Sequence, residues 1–334
     1  MSNGVKAAVL VDKGRVEVRE LPRPTLPEDA LLIKTAMCGV CGTDVHAYLG
    51  HAPPGGELSF PLLLGHEIVG IVDEMGKGAN EAMNISEGVL EVGDRVLLFG
   101  AVMCDKCWGC RHFGNVNGLN CVNLIGYGFE NPDKPPHLHG GYSEEVYVYP
   151  NSWLWKIPDD MPWEVAVLSD PLATGLRCIE KALTIGSISN NVVLPFSGTV
   201  VVQGSGSIGV LAAAAAKVVG ARQVIMTGAP DLRLRIAEEI GVVDYTINIY
   251  EKDVEERIKE VRRLTPGGYG ADVVIEVAGT PEALLEGLEM VRKGGTLVEA
   301  GNFLDVGRNI EINVCRQLCA KDITLHTVYG PSPV

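Results

Sequence analysis

Side chains that could bind a metal and carry a proton lie in one stretch of the sequence. It reads C-G-V-C-G-T-D-V-H from residue 38 and, after a Gly/Pro-rich gap, G-H-E from residue 65. The thiolate of Cys41 and the imidazole of His66 are ligand types that zinc prefers. Asp44 is placed to hydrogen-bond a ligating histidine and so to fix its tautomer. A cysteine and a histidine at this separation are more often packed core residues than metal ligands. Further ligand patterns in the sequence are therefore needed to support a metal site.

A proton path can be proposed from the same string. Thr43 and His46 follow Cys41 by two and five residues. A hydroxyl and an imidazole at these positions could carry a proton away from a group activated by the metal.

Four cysteines form a second metal-ligand pattern further along the chain. Cys104, Cys107, Cys110 and Cys121 give C-x2-C-x2-C-x10-C within a loop rich in Gly and Asn. Four thiolates at this spacing predict a closed structural zinc site, where the metal replaces a core that the loop cannot build. The alternative, four independent buried thiols with this spacing, is improbable.

A glycine-rich motif follows a predicted strand at 199–203. Gly204, Gly206 and Gly209 give G-x-G-x-x-G, and Ser207 lies inside the motif. The motif alone is weak, but the preceding strand and the following helix of small residues (Leu211 to Val219) supply the context for pyrophosphate binding by backbone N–H groups.

Taken together and in this order, the ligand string, the cysteine lobe and the dinucleotide loop resemble the zinc-dependent medium-chain alcohol/polyol dehydrogenases. The resemblance covers nearly all of the chain. It implies that zinc at Cys41 and His66 is catalytic, with Asp170 as third ligand where polyol enzymes have Glu-Pro. Glu67 is implied either as an occasional ligand or as an acid that only tunes the site. A carboxylate third ligand leaves a fourth position for water or substrate.

The resemblance also implies residues that contact a nicotinamide cofactor. Thr174 and Ile208 match positions that line the nicotinamide. Gly228 stands where NAD-preferring members have an acid, whereas Arg233 and Arg235 could reach the 2′-phosphate of NADP. Asp231 follows three residues later and could replace the missing acid, so NAD and NADP both remain open.

Length and pattern indicate an α/β protein of two domains. A chain of 334 residues is too long for one ordinary core, and β and α patterns alternate after residue 199. The resemblance implies a GroES-like β-barrel catalytic domain at 1–168, with the zinc lobe at 104–121. It implies a Rossmann NAD(P)-binding domain with a doubly wound parallel sheet at 169–312. The resemblance further implies that residues 313–334 begin a segment returning to the first domain. In the family this segment continues further, so the sequence to Val334 would be either an incomplete copy or a chain without that remainder.

Charge and cysteine usage narrow the partners. The net charge of −14 disfavours nucleic acid and anionic membranes. Residues 1–9 lack the profile of a signal peptide, and nine cysteines favour reduced thiols and metal, hence the cytoplasm. The expected partner is a small alcohol or carbonyl compound. The stretch from Leu297 to Ile312 resembles the region through which family members form homodimers or homotetramers.

The resemblance implies hydride transfer between an alcohol, favouring a secondary alcohol or polyol, and NAD(P). Two alternatives are a zinc-free quinone or enone reductase of the same superfamily and a catalytically silent nucleotide-binding or structural protein. Retention of Thr43 and His46 favours an enzyme. The number of zinc ions per chain distinguishes these hypotheses. The dehydrogenase needs two, whereas the reductase and the silent protein would hold one, in the cysteine lobe.

Overall fold

The computed structural model describes residues 4–52, 57–113, 120–183, 198–302, 304 and 307–331. The chain divides into two units, with the change from the first to the second between Asp170 and Pro171. The two units are described separately.

The first unit is built from short strands. Its strands are β1 (Gly4–Asp12), β2 (Arg15–Pro22), β3 (Leu31–Cys38), β4 (Leu62–Leu63), β5 (Ile68–Met75), β6 (Asn84–Ile85), β7 (Arg95–Leu98), β8 (Ala101–Val102), β9 (Ile125–Gly126), β10 (Glu145–Val148) and β11 (Trp153–Lys156). They pair in the orders β2-β1-β4, β10-β3-β5-β7-β11-β6 and β8-β9. Its helices are α1 (Gly42–Tyr48), α2 (Ala79–Ala82), α3 (Trp108–Phe113) and α4 (Trp163–Ala166).

Strand β3 lies at the centre of this unit because it is apolar on both faces. Leu31 and Ile33 belong to one buried cluster, and Leu32 between them belongs to another. Alternate side chains of a strand point to opposite faces, so β3 joins two cores and fixes the loop that leaves it at Cys38. That loop carries Cys41.

The stretch 77–91 is polar in sequence but contains short elements. It forms α2 and β6, and both Ala79 and Met83 are buried against the core that contains Leu31. A few apolar residues in a polar segment are thus enough to attach it to the sheet.

The second unit is a parallel sheet with helices. Its strands are β12 (Thr199–Gln203), β13 (Gln223–Gly228), β14 (Tyr245–Asn248), β15 (Ala271–Glu276), β16 (Val291–Glu299) and β17 (Thr324–Thr327). Among the described residues they pair in the order β14-β13-β12-β15-β16-β17, every pair parallel. This is the doubly wound order 3-2-1-4-5-6 of dinucleotide-binding folds. The predicted fold class is confirmed.

Helices alternate with these strands. They are α5 (Ser169–Leu183), which begins at the end of the first unit, α6 (Ser207–Val218), α7 (Asp231–Glu239), α8 (Val254–Leu264) and α9 (Pro281–Met290). Every residue of β12 is buried, as expected for a central parallel strand covered on both faces. Its carboxyl end therefore presents the glycine-rich loop in a fixed position.

Two predicted segments near the end of the chain fall partly in this sheet. In the stretch 297–312, residues 297–299 end β16, which pairs on both sides, and residues 303, 305 and 306 lie outside the described residues. In the segment 313–334, a π-helical turn (Val314–Leu318) and a 3-10 turn (Cys319–Lys321) precede the edge strand β17, and residues 332–334 are not described. The domain boundaries from the sequence stay predictions.

None of the helices in the described ranges combines the length and apolar character that a membrane span requires.

Candidate metal and dinucleotide sites

Asp44 connects the two segments of the first ligand string. It is 3% exposed, and its Oδ2 accepts hydrogen bonds from the backbone N–H of Cys41 at 2.9 Å and the hydroxyl of Tyr142 at 3.0 Å. Its Oδ1 accepts from the backbone N–H of Gly65 at 3.2 Å. One buried carboxylate thus fixes the residues on which both predicted ligands depend, since Gly65 directly precedes His66.

The predicted ligands Cys41 and His66 come together, and Glu67 joins them. One ligand atom from each of the three lies within 4.8 Å of the others. The Glu67 carboxylate approaches the main chain closely, because a Cβ added to Gly39 would lie 1.9 Å from Glu67 Oε2. Any larger residue at position 39 would displace this carboxylate from the cluster.

His66 shows that the cluster suits a cation. Its Nδ1 is buried without a hydrogen-bond partner and lies 3.7 Å from Asp44 Oδ1, while Phe129 stacks on the ring with centroids 5.6 Å apart. An unpaired buried ring nitrogen is costly. Together with the thiol of Cys41 and the carboxylate of Glu67, the imidazole gives a donor set of the types that zinc binds, so the residues fit zinc.

The electrostatics of this cluster point the same way. Burial lowers the pKa of His66, but the hydrogen bond to Cys41 and the carboxylates of Asp44 and Asp170 outweigh it and raise the pKa to about 10. Burial and the charge of Asp170 raise the pKa of Glu67 to about 7. The buried site therefore carries an excess of anionic groups, which a divalent cation compensates.

Asp170, the predicted third ligand, lies beside this group rather than within it. It is half-buried in the first turn of α5 and interacts electrostatically with His66 and Glu67. Burial raises its pKa, against the opposing effect of His66. The hydroxyl oxygen of Thr43 lies 3.5 Å from Cys41 Sγ, so one member of the predicted proton path is at the cluster.

The four lobe cysteines come together as the spacing predicts. The Sγ atoms of Cys104, Cys107, Cys110 and Cys121 all lie within 4.8 Å of one another, and the thiols are free. The Sγ atoms of Cys107 and Cys110 are 3.5 Å apart, close to the ligand–ligand edge of about 3.8 Å in a tetrahedron with 2.3 Å zinc–sulfur bonds. The donor set and its spacing fit a closed zinc site.

Backbone groups prepare two of these thiols to be thiolates. The backbone N–H of Lys106 and the side-chain amide of Asn123 lower the pKa of Cys104 to about 6. The backbone N–H of Cys110 lowers the pKa of Cys107. Burial acts oppositely on Cys110 and raises its pKa to about 12. Gly109 lets the lobe close, because a Cβ there would lie 1.9 Å from the carbonyl oxygen of Asn120.

The glycines of the dinucleotide loop have three different tasks. Gly204 turns the chain after β12 with φ of +114°. Gly209 allows helix α6 to pack on that turn, since a Cβ there would lie 1.9 Å from the carbonyl oxygen of Gly204. Gly206 precedes α6 and faces open space, which leaves room for a phosphate at the N–H groups of Ser207 and Ile208. The loop fits a dinucleotide.

The end of β13 lacks a carboxylate and has no space for one. A Cβ at Gly228 would lie 2.6 Å from Ser205 Oγ and 2.9 Å from its backbone nitrogen. The carboxylate of Asp231 accepts a hydrogen bond from the side-chain amide of Asn248. Arg233 is exposed on α7.

Comparison with known proteins decides the family. The alcohol dehydrogenase GroES-like domain matches residues 27–159 and the zinc-binding dehydrogenase domain matches 207–333. The chain is 33% identical to L-threonine 3-dehydrogenase of Pyrococcus horikoshii over 315 residues, which are 94% of this chain and 79% of the relative. It is 30% identical to sorbitol dehydrogenase of Bacillus subtilis over 311 residues, 93% of this chain and 78% of that protein.

The chain belongs to the zinc-type medium-chain dehydrogenase family.

Solved structures agree with this assignment. An alcohol dehydrogenase of Thermotoga maritima superimposes with a TM-score of 0.84 at 29% identity, covering 99% of this chain and 86% of that one. A zinc-binding dehydrogenase of Sinorhizobium meliloti bound to NADP gives a TM-score of 0.78 at 29% identity, covering 99% and 85%. The protein is thus a zinc- and NAD(P)-dependent alcohol oxidoreductase, and the predicted enzyme class and cofactors are confirmed.

Sequence reasoning on this dehydrogenase missed three residues at the first cluster. Tyr142 reaches Asp44 from a distant segment, and Phe129 covers His66. His51 places its Nδ1 2.8 Å from Nδ1 of His46. Only His51 had a signal in the sequence, because the glycine that precedes it is a residue that commonly ends a helix. Thr174 is buried on α5.

Proposed function

We propose that this dehydrogenase oxidises a secondary alcohol or polyol at the cluster of Cys41, His66 and Glu67. The observation that carries the proposal is the meeting of a thiol, an imidazole and a carboxylate within 4.8 Å, with the Thr43 hydroxyl at 3.5 Å from the thiol. The relatives that are 30% and 33% identical to this chain are named for sorbitol and L-threonine, and both compounds carry a secondary hydroxyl.

Each residue has one role in the proposed reaction. Cys41, His66 and Asp170 would hold the zinc, and the carboxylate of Glu67, which lies in the same group, would be an exchangeable further ligand. When bound, zinc and the nicotinamide supply a Lewis acid that lowers the pKa of the alcohol and an acceptor for hydride. Thr43 Oγ1 accepts the hydroxyl proton as it passes its own proton to His46. Asp44 orients the ligands through its hydrogen bonds to Cys41 N and Gly65 N.

Reduction of the cofactor at 340 nm tests this function. NAD or NADP is offered with a panel of secondary alcohols, polyols and primary alcohols, before and after chelation. We expect turnover of secondary alcohols or polyols that chelation abolishes and zinc restores, with two zinc ions per chain. One zinc per chain and reduction of enones without added zinc would instead identify a zinc-free reductase.

Substitution of the two carboxylates tests their division of roles. We expect Asp170→Asn to reduce zinc from two ions per chain to one and to lower kcat/KM at least about 100-fold, because a ligand is lost. Glu67→Gln should retain both ions and change kcat without loss of zinc. Unchanged zinc content and turnover in Asp170→Asn would remove Asp170 from the ligand set.

We further propose NADP rather than NAD as the preferred cofactor. The position at which NAD-preferring enzymes have an acid that binds the ribose diol is Gly228 in this chain, and Ser205 occupies the space that a side chain at 228 would need. The carboxylate of Asp231 is engaged by Asn248. The exposed guanidinium of Arg233 supports the choice, since it can bind a 2′-phosphate. The Sinorhizobium meliloti neighbour was solved with NADP.

The cofactor proposal is tested by the ratio of kcat/KM for NADP to that for NAD. Arg233→Ala should lower this ratio about tenfold by raising KM for NADP, because a charged hydrogen bond is lost. The matched control is Arg222→Ala, an exposed arginine at the opposite end of β13. A wild-type ratio that favours NAD would reverse the assignment.

For assembly and location we propose a cytoplasmic homodimer or homotetramer. All nine cysteines are free thiols, which favours a reducing compartment. Among the described residues, β17 is the last strand at one end of its six-stranded sheet, a position at which a strand of a second copy can be added. Light scattering during gel filtration measures the assembly, and a monomer at micromolar concentration would contradict it.

A further inference from the structure

His46 and His51 face each other at the carboxyl end of helix α1. Their Nδ1 atoms are 2.8 Å apart, and their ring centroids are separated by 5.1 Å. A contact of this length between two ring nitrogens is a hydrogen bond with one proton between them. One imidazole therefore donates from Nδ1 while the other accepts, and each keeps its Nε2 for another partner.

The backbone of the helix end creates this pair. Gly50 has φ of +82°, and its N–H bonds to the carbonyl of Ala47 at 3.0 Å, while the N–H of His51 bonds to the carbonyl of His46 at 2.9 Å. These two bonds define a Schellman motif, in which the side chains of the positions held by His46 and His51 come into contact. Apolar residues often meet there, but this chain places two imidazoles at the contact.

The pair continues from the hydroxyl at the metal cluster. Thr43 and His46 are three residues apart on α1 and hence neighbours on one face of the helix. Thr43 Oγ1 is 3.5 Å from Cys41 Sγ. Thr43, His46 and His51 therefore form a sequence of exchangeable protons that begins beside the ligands.

We propose that His51 is a proton-carrying residue of this dehydrogenase, taking from His46 the proton released by the alcohol. The inference depends on the proposed function. His46, protonated on Nδ1, accepts a proton at Nε2 and donates its Nδ1 proton to Nδ1 of His51. His51 then loses its Nε2 proton to water. One proton leaves the alcohol and one enters water, and the two rings exchange tautomers.

The charges around the pair favour onward transfer. Burial lowers the pKa of His46, and the charge of His51 lowers it further. Because burial opposes a lasting charge on His46, the proton moves on rather than remaining there.

Three substitutions at position 51 test the proposal. In a buffer without imidazole near pH 7, His51→Ala should lower kcat for alcohol oxidation about tenfold, a modest share of a typical acid–base contribution. Added imidazole should restore the rate in proportion to its concentration. His51→Phe, which keeps a ring but no nitrogen, should show the loss without rescue. His51→Gln, which cannot pass a proton through a ring, should resemble His51→Phe.

The control is His137→Asn, a half-buried imidazole outside both metal-ligand groups with φ of +69°, a conformation that asparagine tolerates; it should keep wild-type kcat with no response to imidazole. All variants should retain two zinc ions per chain. A wild-type rate in His51→Phe, or a loss in His51→Ala that imidazole leaves unchanged, would show that His51 only packs against His46 and would overturn the proposal.

His46→Ala separates this inference from the proposed function. Full activity of His46→Ala would remove the whole path through Thr43 and His46. Loss of activity in His46→Ala together with a wild-type rate in His51→Ala would remove only His51 from the path. Loss in both, with imidazole rescue of both, is the result that we expect.

Discussion

The two metal clusters of the first unit are built on opposite plans. In the cysteine lobe, all four donors are thiols and come from residues 104–121. In the other cluster, the thiol comes from the start of α1, the imidazole and the carboxylate come from consecutive residues before β5, and Asp170 lies nearby in the first turn of α5. Both sets hold their ligand atoms within 4.8 Å. The lobe is local and uniform, whereas the group of Cys41, His66 and Glu67, which we propose to be catalytic, joins unlike donors from two separate segments.

The difference follows from what each site must do. Four thiolates fill a tetrahedral zinc completely, and such a site contributes folding energy to a loop that has little core of its own. A mixed set with two carboxylates can exchange one ligand for substrate. Its geometry is held by the surrounding protein, through Asp44 and the packing of Phe129 on His66. The lobe should need its metal to fold, but the catalytic cluster should not.

The largest expected effect is the loss of a lobe cysteine. Cys107→Ala should remove the structural zinc and lower the free energy of unfolding by more than about 3 kcal/mol, since the lobe then lacks the metal that closes it. Cys41→Ala should remove the catalytic zinc and abolish turnover with a much smaller change in stability. Calorimetry and zinc analysis of both variants give the measurement.

An exposed thiol supplies the control for that comparison. Cys315 lies in the second unit, outside both clusters. Cys315→Ala should therefore change neither zinc content nor melting temperature. If Cys41→Ala destabilised the protein as strongly as Cys107→Ala, the distinction between a folding site and a catalytic site would fail.

A smaller effect is expected from the residue that supports the catalytic ligands. Asp44 accepts hydrogen bonds from Cys41 N, Gly65 N and Tyr142 OH. Asp44→Asn keeps the shape of the side chain but replaces one of its two acceptor oxygens, so at least one of these bonds is lost. Affinity for the catalytic zinc should fall about 10–100-fold, with the lobe zinc unaffected. Competition with a chelator, followed ion by ion, measures it. Asp133→Asn, on the surface, is the control.

The same contrast explains what the sequence could and could not predict. The lobe was predictable in full, because the spacing of its four cysteines brings them together in any compact loop. Cys41 and His66 were predictable as a pair. Tyr142 was not, because its bond to Asp44 spans 98 residues and depends on how β10 pairs with β3. The alternation of strand and helix patterns predicted the parallel sheet. Strand β6 was not predicted, because its two residues form a strand only through pairing with β11.

Cofactor and proton-path residues fall between these cases. The glycines of 204–209 were identifiable from their spacing. Gly204 needs a positive φ and Gly209 a close backbone approach that only glycine allows, whereas Gly206 leaves open space for a ligand. The packing of Ser205 into the space beside Gly228 depends on the turn that follows β12, which a pattern does not specify. His51 could have been found from Gly50, had the helix end been treated as a Schellman motif.

A buried carboxyl group in the second unit, that of Glu276, can be compared with the carboxyl group of Glu67 in the first. Glu276 is 0% exposed at the end of β15, and its Oε1 accepts backbone hydrogen bonds from Ala278 at 2.7 Å and Gly279 at 3.0 Å. Burial and the neighbouring carboxylate of Glu299 raise its pKa well above the ordinary range. Glu67 is also raised by burial, but it lies beside a thiol and an imidazole. The same cause therefore acts in a metal cluster and in a structural pair.

The smallest expected effect is that of Glu276→Gln. A carboxyl whose pKa is raised on folding binds more protons in the folded state, so the wild type loses stability as pH rises from about 5 toward the folded pKa. Glutamine has no such dependence, can still accept from Ala278 N and Gly279 N, and can donate to Glu299. The variant should gain about 1 kcal/mol relative to the wild type between pH 7 and pH 8. Zinc content should remain at two, and urea unfolding at each pH measures the difference. A difference that stays constant with pH would mean that Glu276 is ionised in the fold. A loss of zinc would mean that Glu276 supports a metal site and is not only a structural acid.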